Sequence, residues 1–281
     1  MVLGPGAISA CSTDSVKYNG SGAADAIAGR VAELTARRDG SWALCLPAAE
    51  DARCHWTARR PEHKLTSMLA EAFERMLSDL IALDEGTELE RARATFYELT
   101  GEFEPGDACY EERIQFFFDW FLVEHRTREG ASPAGRWLDE VAAPAEVSMI
   151  ARAALGAARS LYEVREDGAL IDRLGGGRFR VEGDRFRPGD RFDGRLLAVG
   201  DSLLLAPGIV FHPPQVHEAM DELLDAIDAP SELDRTAVLD GLARMRMRLE
   251  RFTSIRPKHI YRAEALDDRQ ILSAGWAKRS S

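Results

Sequence analysis

Apolar positions recur along this chain with two different periods, and the change from one to the other divides it. Between residues 62 and 83, Leu65, Met68, Leu69, Phe73, Met76, Leu77 and Leu80 fall three and four apart, which predicts a one-sided amphipathic helix. Gly86 stops it. Thr87, with Glu90 three residues on, predicts a capping box that opens a second helix through Leu99. Gly101, Pro105 and Gly106 break the chain again, and a third helix is expected from about Asp107 to His125. Its stretch Phe116–Val123 is apolar nearly all round, which predicts the buried central helix. Ser132-Pro133 opens a short helix around Trp137, and Pro144 opens another through Ser160.

At Leu161 the period shortens. The runs LYEVRE, ALIDRL, RFRVEG, GRLLAVG and SLLLAPGIVF are separated by Asp-Gly, Gly-Gly-Gly, Pro-Gly-Asp and Gly-Asp, which predicts short strands joined by tight turns over residues 161–212. Gly175–Gly177 lacks the Gly-Lys-Ser/Thr ending and the following helix of a phosphate loop, so a hairpin turn is expected there. Helical signals return at Pro213. Val216, Met220, Leu223, Leu224 and Ile227 share one face, and Ser231 with Asp234 opens a second C-terminal helix. The fold class expected is α+β: a helical body, then a small curved β-sheet or barrel module, then two C-terminal helices. Three regions follow: a loosely structured stretch 1–60 with a short amphipathic segment at 23–38, a helical region 61–160, and residues 161–281 with the β module and last helices.

Charge changes the picture of partners. Against 36 Lys and Arg stand 47 Asp and Glu, a net charge of −11, which disfavours nonspecific attraction to phosphate backbones or anionic lipid. No apolar run approaches the roughly 18 residues of a membrane span. The longest, FFFDWFLV at 116–123, also carries Asp119. Ile-Ser-Ala-Cys, ending at Cys11, has the form of a lipoprotein cleavage box, but no Lys or Arg precedes it, so it is read as coincidence. Cysteines at 11, 45, 54 and 109 form no dense framework, and reduced thiols in a cytoplasmic protein are expected.

The sharpest chemical pattern is LCLPAAEDARCHW at residues 44–56. Cys45, Cys54 and His55 supply three ligands of the kind that zinc takes in a closed tetrahedral site. Their spacing resembles the SEC-C zinc knuckle, Cys-x-Cys-x8-Cys-(Cys/His), with its last three ligand positions on Cys45, Cys54 and His55. The first ligand position falls on Ala43, and the Gly-Ser-Gly-x-Lys segment reads Pro47-Ala48-Ala49-Glu50-Asp51. Three readings stay open: a zinc site completed by His63 or another cysteine, a relic packed by Trp42, Leu44, Leu46 and Trp56, or coincidence. FFFDWFLVEH, SLYEV, LIDRLGGG and PGDRFDGRLL also resemble, in that order, the body of uncharacterised bacterial proteins that carry SEC-C motifs. That resemblance, over residues 107–212, implies kinship with a family of unknown activity and supplies no catalytic residue.

Four other features carry expectations. Asp119 inside an apolar helix is expected to pair with Arg113, Arg152 or Arg159, since an unpaired buried carboxylate is costly, or else to lie on a narrow exposed edge of the helix. His125 at a helix end gains from the helix dipole, and His212, five before His217, is expected at a helix entry. Arg187-Pro-Gly-Asp-Arg191 resembles the Arg-x3-Arg element of cyclic-di-GMP-binding PilZ domains, but the companion motif is missing, and a β-turn is expected. The segment 244–262 is the one basic region. Arg244, Arg248 and Arg251 share a helical face that would meet phosphates, or alternatively pair with the acidic helix 218–228. The leading expectation is a non-enzymatic interaction or adaptor protein with an unidentified protein partner and no resident cofactor unless the knuckle takes zinc. The alternatives are a zinc-binding nucleic-acid- or ribosome-associated protein, and an enzyme whose site joins Asp119, His125 or His212.

Overall fold

The computed structural model describes residues 61–84, 86–107, 109–181, 186–227 and 232–266, with the side chains of 61–66 and 232–234 excepted. All belong to one compact unit, Leu44–Ser281. The architecture is α+β, as the two hydrophobic periods predict.

Among the described residues five helices come first: α1 (Pro61–Asp84), α2 (Thr87–Thr100), α3 (Tyr110–Val123), α4 (Pro133–Glu140) and α5 (Ala145–Leu155). α1 buries Leu69, Phe73, Met76, Leu77 and Leu80, the stripe its spacing predicts. The expected capping box at Thr87 does not form. Asp84 Oδ1 instead accepts from Gly86 N at 3.1 Å, Gly86 becomes the cap residue, and Thr87 starts the helix proper. α4 does open as expected, with Ser132 Oγ accepting from Gly135 N at 3.2 Å. In α3 every residue from Phe116 to Val123 is buried, Asp119 included. Trp137 of α4 is fully buried and donates its indole N–H to Asp79 of α1 at 3.1 Å.

Six strands follow: β1 (Arg159–Val164), β2 (Leu170–Asp172), β3 (Arg178–Phe179), β4 (Arg191–Val199), β5 (Ser202–Leu205) and β6 (Val210–His212). The helix expected to reach Ser160 stops at Leu155, because Gly156 ends it and β1 begins at Arg159. The sheet is antiparallel and open, ordered β3-β2-β1-β4-β5, with β6 also paired to β4. Two turns carry the glycine signals. Asp172 N donates to Gly177 O at 2.8 Å across the β2–β3 hairpin. At Arg187–Asp190, Pro188 precedes Gly189 at φ 88°, and Asp190 N donates to Arg187 O at 3.0 Å. A positive φ after proline is the type II turn, which needs glycine there. The Arg-x3-Arg element is therefore a turn entering β4.

After β6 the described residues form a 3-10 turn (Pro214–Val216), α6 (His217–Asp225), α7 (Glu232–Arg251), the short α8 (Pro257–Ile260) and a second 3-10 turn (Ala263–Ala265). α7 lies along α2 and against β1, while α5 packs on β4.

The two faces of the sheet follow from its register. Tyr162 pairs with Phe192, Phe192 with Phe211, and Leu196 with Leu205, so one face is aromatic and aliphatic. It is buried as one cluster of Tyr162, Val164, Leu170, Phe192, Leu196, Leu205 and Ile209. The alternate residues Arg159, Glu163, Arg191, Asp193 and Arg195 point the other way. That second face also presents Leu161, which joins Met220, Leu223, Leu239, Leu242 and Met245 of α6 and α7.

Candidate functional site

Charge buried between sheet and helices is the most unusual chemistry among the described residues. Arg195 of β4 reaches three partners: its Nε lies 3.3 Å from Asp119 Oδ2 of α3, its Nη2 2.5 Å from Glu124 Oε1, and its Nη1 2.6 Å from Ala157 O. Arg159 of β1 reaches Glu124 Oε2 at 3.1 Å and Asp240 Oδ1 of α7 at 2.7 Å. Its Nε sits 3.2 Å from Asp193 Oδ1, and its guanidinium lies 4.9 Å from the Phe116 ring centre. Glu124 is thus bridged by both forks, and four carboxyls share two guanidinium groups.

One glycine lets this cluster assemble. A Cβ on Gly208, in the link between β5 and β6, would stand 2.5 Å from Asp119 Cβ and 3.0 Å from both Gln115 O and Phe116 Cα. Only a bare Cα allows the sheet to rest directly on α3 at that level.

The electrostatics separate the four carboxyls. Burial pushes Asp193 up to about 7, against the pull of Arg159. Burial likewise raises Asp119 against Arg195, and Asp240 against Arg159. Glu124 is the exception. Burial works against its charge too, but Arg159 and Arg195 together outweigh it and hold the carboxyl below its ordinary range. Arg113, fully buried in α3, is lowered by burial to about 10 and so keeps its charge at neutral pH. Its Nη2 donates to Thr100 Oγ1 at 2.5 Å and to the carbonyls of Thr100 and Gly101, and the guanidinium lies over the rings of Phe96, Phe103 and Phe116.

Asp119 therefore has a partner, but not one of the three expected: it is Arg195, brought across from β4. His125 meets Glu88 Oε1 at 2.5 Å and stacks against Phe121, with burial lowering its pKa. His212 is buried on β6, with Nδ1 3.1 Å from Tyr261 Oη, and burial drives its pKa down to about 3. His217 opens α6, with Nε2 2.8 Å from His212 O. The three residues suggested for an enzyme site are thus engaged in three separate partner sets.

The phosphate-facing expectation needs correction. Arg244 and Arg248 are only 2 % and 6 % exposed. Arg244 bonds the carbonyl of Leu99 at 2.5 Å and that of Leu266, and Arg251 bonds Glu102 O at 2.7 Å and Asp107 Oδ2 at 3.1 Å. This face of α7 is turned inward onto α2, where the guanidinium groups satisfy backbone carbonyls. The acidic helix α6 is met elsewhere: Asp221 pairs with Arg173 and with both terminal nitrogens of Arg191, at 2.8–3.0 Å.

Cys45, Cys54 and His55 lie outside the described residues, as does the side chain of His63. Among the described residues, no group of three or more His, Cys, Asp or Glu is placed to hold a metal ion, and no helix is long and apolar enough to cross a membrane. Cys109 is buried with Sγ 3.4 Å from Met247 Sδ, and burial pushes its thiol up, so it is held as a thiol.

The residues that sequence reasoning passed over are Glu124, Asp193, Arg195 and Asp240, and Arg159 was named only as a partner for Asp119. One signal was present. Arg191-x-Asp193-x-Arg195 places a charge at every second position of a strand whose other face is apolar, a full charged face in register. No family model matches this chain, and no curated protein or solved structure matches it significantly.

Proposed function

We propose that this chain is a non-enzymatic interaction or adaptor protein whose partner-facing side is the aromatic face of the sheet. One observation carries the reading: the sheet's charged face is engaged by its own helices, while its other face gathers Phe179, Val181, Phe186, Leu203 and Phe211, all only half-buried, around the buried Tyr162 and Phe192. Phe186 lies flat on Phe192, with ring centres 4.7 Å apart. Half-exposed aromatic groups on a rigid sheet bring large contact area at low cost in conformational freedom, which is why protein interfaces are enriched in them. A cytoplasmic setting belongs to the same proposal. The degenerate SEC-C-like stretch is its second part, and Cys45, Cys54 and His55 are the candidate zinc ligands in it.

A photo-crosslinking residue placed at 203 or 211 in the intact chain tests the face. Discrete adducts at both positions are expected, with none from the exposed Arg152 on α5. The same adducts from position 152, or none from 203 and 211, would remove the proposal. Metal analysis of the whole chain tests the knuckle separately: about one zinc per chain, lost in Cys45→Ser/Cys54→Ser, supports it, and zinc-free protein contradicts it. Arg244 and Arg248 are turned inward, so a nucleic-acid reading would rest on Arg256, Lys258 and Arg262, the exposed part of the basic segment 244–262.

A further inference from the structure

Asp193 is placed where a carboxylate is hardest to keep. It sits mid-strand in β4, between Leu161 of β1 and Val210 of β6, and is fully buried. The charged groups that act on it are Arg113 from α3, Glu124 just beyond that helix, Arg159 from β1, Arg195 from its own strand and Asp240 from α7. Donors to these carboxyls can be followed one by one. Arg195 serves Asp119 and Glu124, and its remaining Nη1 serves Ala157 O. Arg159 serves Glu124 and Asp240. Its Nε is near Asp193 but not aligned to bond it, so among the described residues neither Asp193 oxygen receives a hydrogen bond. Arg113 directs its bonds to Thr100 and Gly101. A buried carboxyl with no donor favours its neutral form.

The geometry points to Asp193 as the proton-holding member of this cluster, and to release of that proton to solvent as the event that turns Arg159 from Asp240 towards Asp193 and loosens α7 from the sheet. The turn required is small, because Arg159 Nε already stands 3.2 Å from Asp193 Oδ1. Asp240 is joined to this cluster by a single 2.7 Å bond from Arg159. The carboxyl is raised above its ordinary range, so the closed state holds the proton more tightly than the open one. The stabilisation is therefore complete below the ordinary Asp range and is lost as pH rises towards 7. Opening should grow by up to about tenfold per pH unit in that window and level off above it. This inference does not depend on the interaction reading.

Hydrogen exchange of the α7 amides in the full chain, at pH 5 and pH 7.5 with intrinsic rates divided out, tests it against Asp193→Asn, which mimics the protonated acid. The wild type should open at least about tenfold more at the higher pH than the variant's own pH response accounts for. Infrared spectra should show a protonated-carboxyl band at pH 5 that fades at pH 8.5 and is weaker by one carboxyl in the variant, where Asp119 and Asp240 remain. An equal pH response in both proteins, or no such band in the wild type, overturns the inference. If Asp193→Asn does not fold, Asp240→Asn takes its place: α7 exchange should then be fast at both pH values, and a retained pH response would contradict the proposed link.

Discussion

The two faces of one sheet solve burial in opposite ways. On one, Tyr162, Phe186, Phe192 and Phe211 pack ring against ring, and the buried carboxylate in register with them, Asp172, is satisfied locally by Ser160 and the backbone N–H groups of Leu174 and Gly175. On the other, Arg159, Asp193 and Arg195 are buried against α3 and α7 with their charges largely matched across elements distant in sequence. Apolar packing is tolerant, since any side chain of the right volume contributes. Buried charge is exacting, because each group depends on a particular partner and its loss leaves another stranded. The charged face should therefore fix how the helices seat on the sheet, and the aromatic face should be the freer to change.

The sharpest break in that comparison is Arg159→Met. It strands Asp240 and leaves Glu124 to Arg195 alone, and about 3–5 kcal/mol of stability should be lost in urea denaturation. A loss below about 1 kcal/mol would mean the cluster is no clasp. Next comes Gly208→Ala, whose new methyl meets Asp119 and the α3 backbone. It should cost about 1–3 kcal/mol by forcing the β5–β6 link off the helix, and an unchanged midpoint would show that the contact yields freely. On the opposite face, Phe186→Ala removes a half-buried ring and its stacking on Phe192. About 1–2 kcal/mol is expected, less than for Arg159→Met, and a reversed order would undo the contrast between the faces.

The smallest effect is one of pH. His212 is held neutral, with its pKa lowered to about 3, so its share of stability is full above the ordinary histidine value and is lost as pH falls below about 6.5. Asp193 has the opposite sign, losing stability as pH rises towards 7. Comparing thermal unfolding of His212→Gln and the wild type between pH 6.5 and 5.5 should show about 1 kcal/mol less acid loss in the variant. Equal acid loss would mean that His212 is not held neutral.

Much of the fold could be read from periodicity. The all-round apolar stretch of α3, the one-sided stripe of α1 and the strand runs after Leu161 each reported their own burial. The capping box at Thr87 misled because Asp84 competes for the same turn and shifts the cap to Gly86. The basic face of α7 misled for a related reason. Helical spacing shows that Arg244, Arg248 and Arg251 share a side, but not whether that side meets solvent or the carbonyl ends of α2. The partner of Asp119 lay out of reach, since Arg195 stands 76 positions away and is delivered by sheet register. Local pattern reports faces; which faces meet is decided by tertiary packing.

The clasp is tested most directly by a double-mutant cycle in urea on Asp119→Leu, Arg195→Met and the two together. If the charged face works through matched partners, Arg195→Met alone should cost about 3–5 kcal/mol. The double variant should then recover at least about 1 kcal/mol relative to the sum of the single changes. Additive losses, within about 0.3 kcal/mol, would contradict the account and leave the ion pairs as neighbours without a shared role.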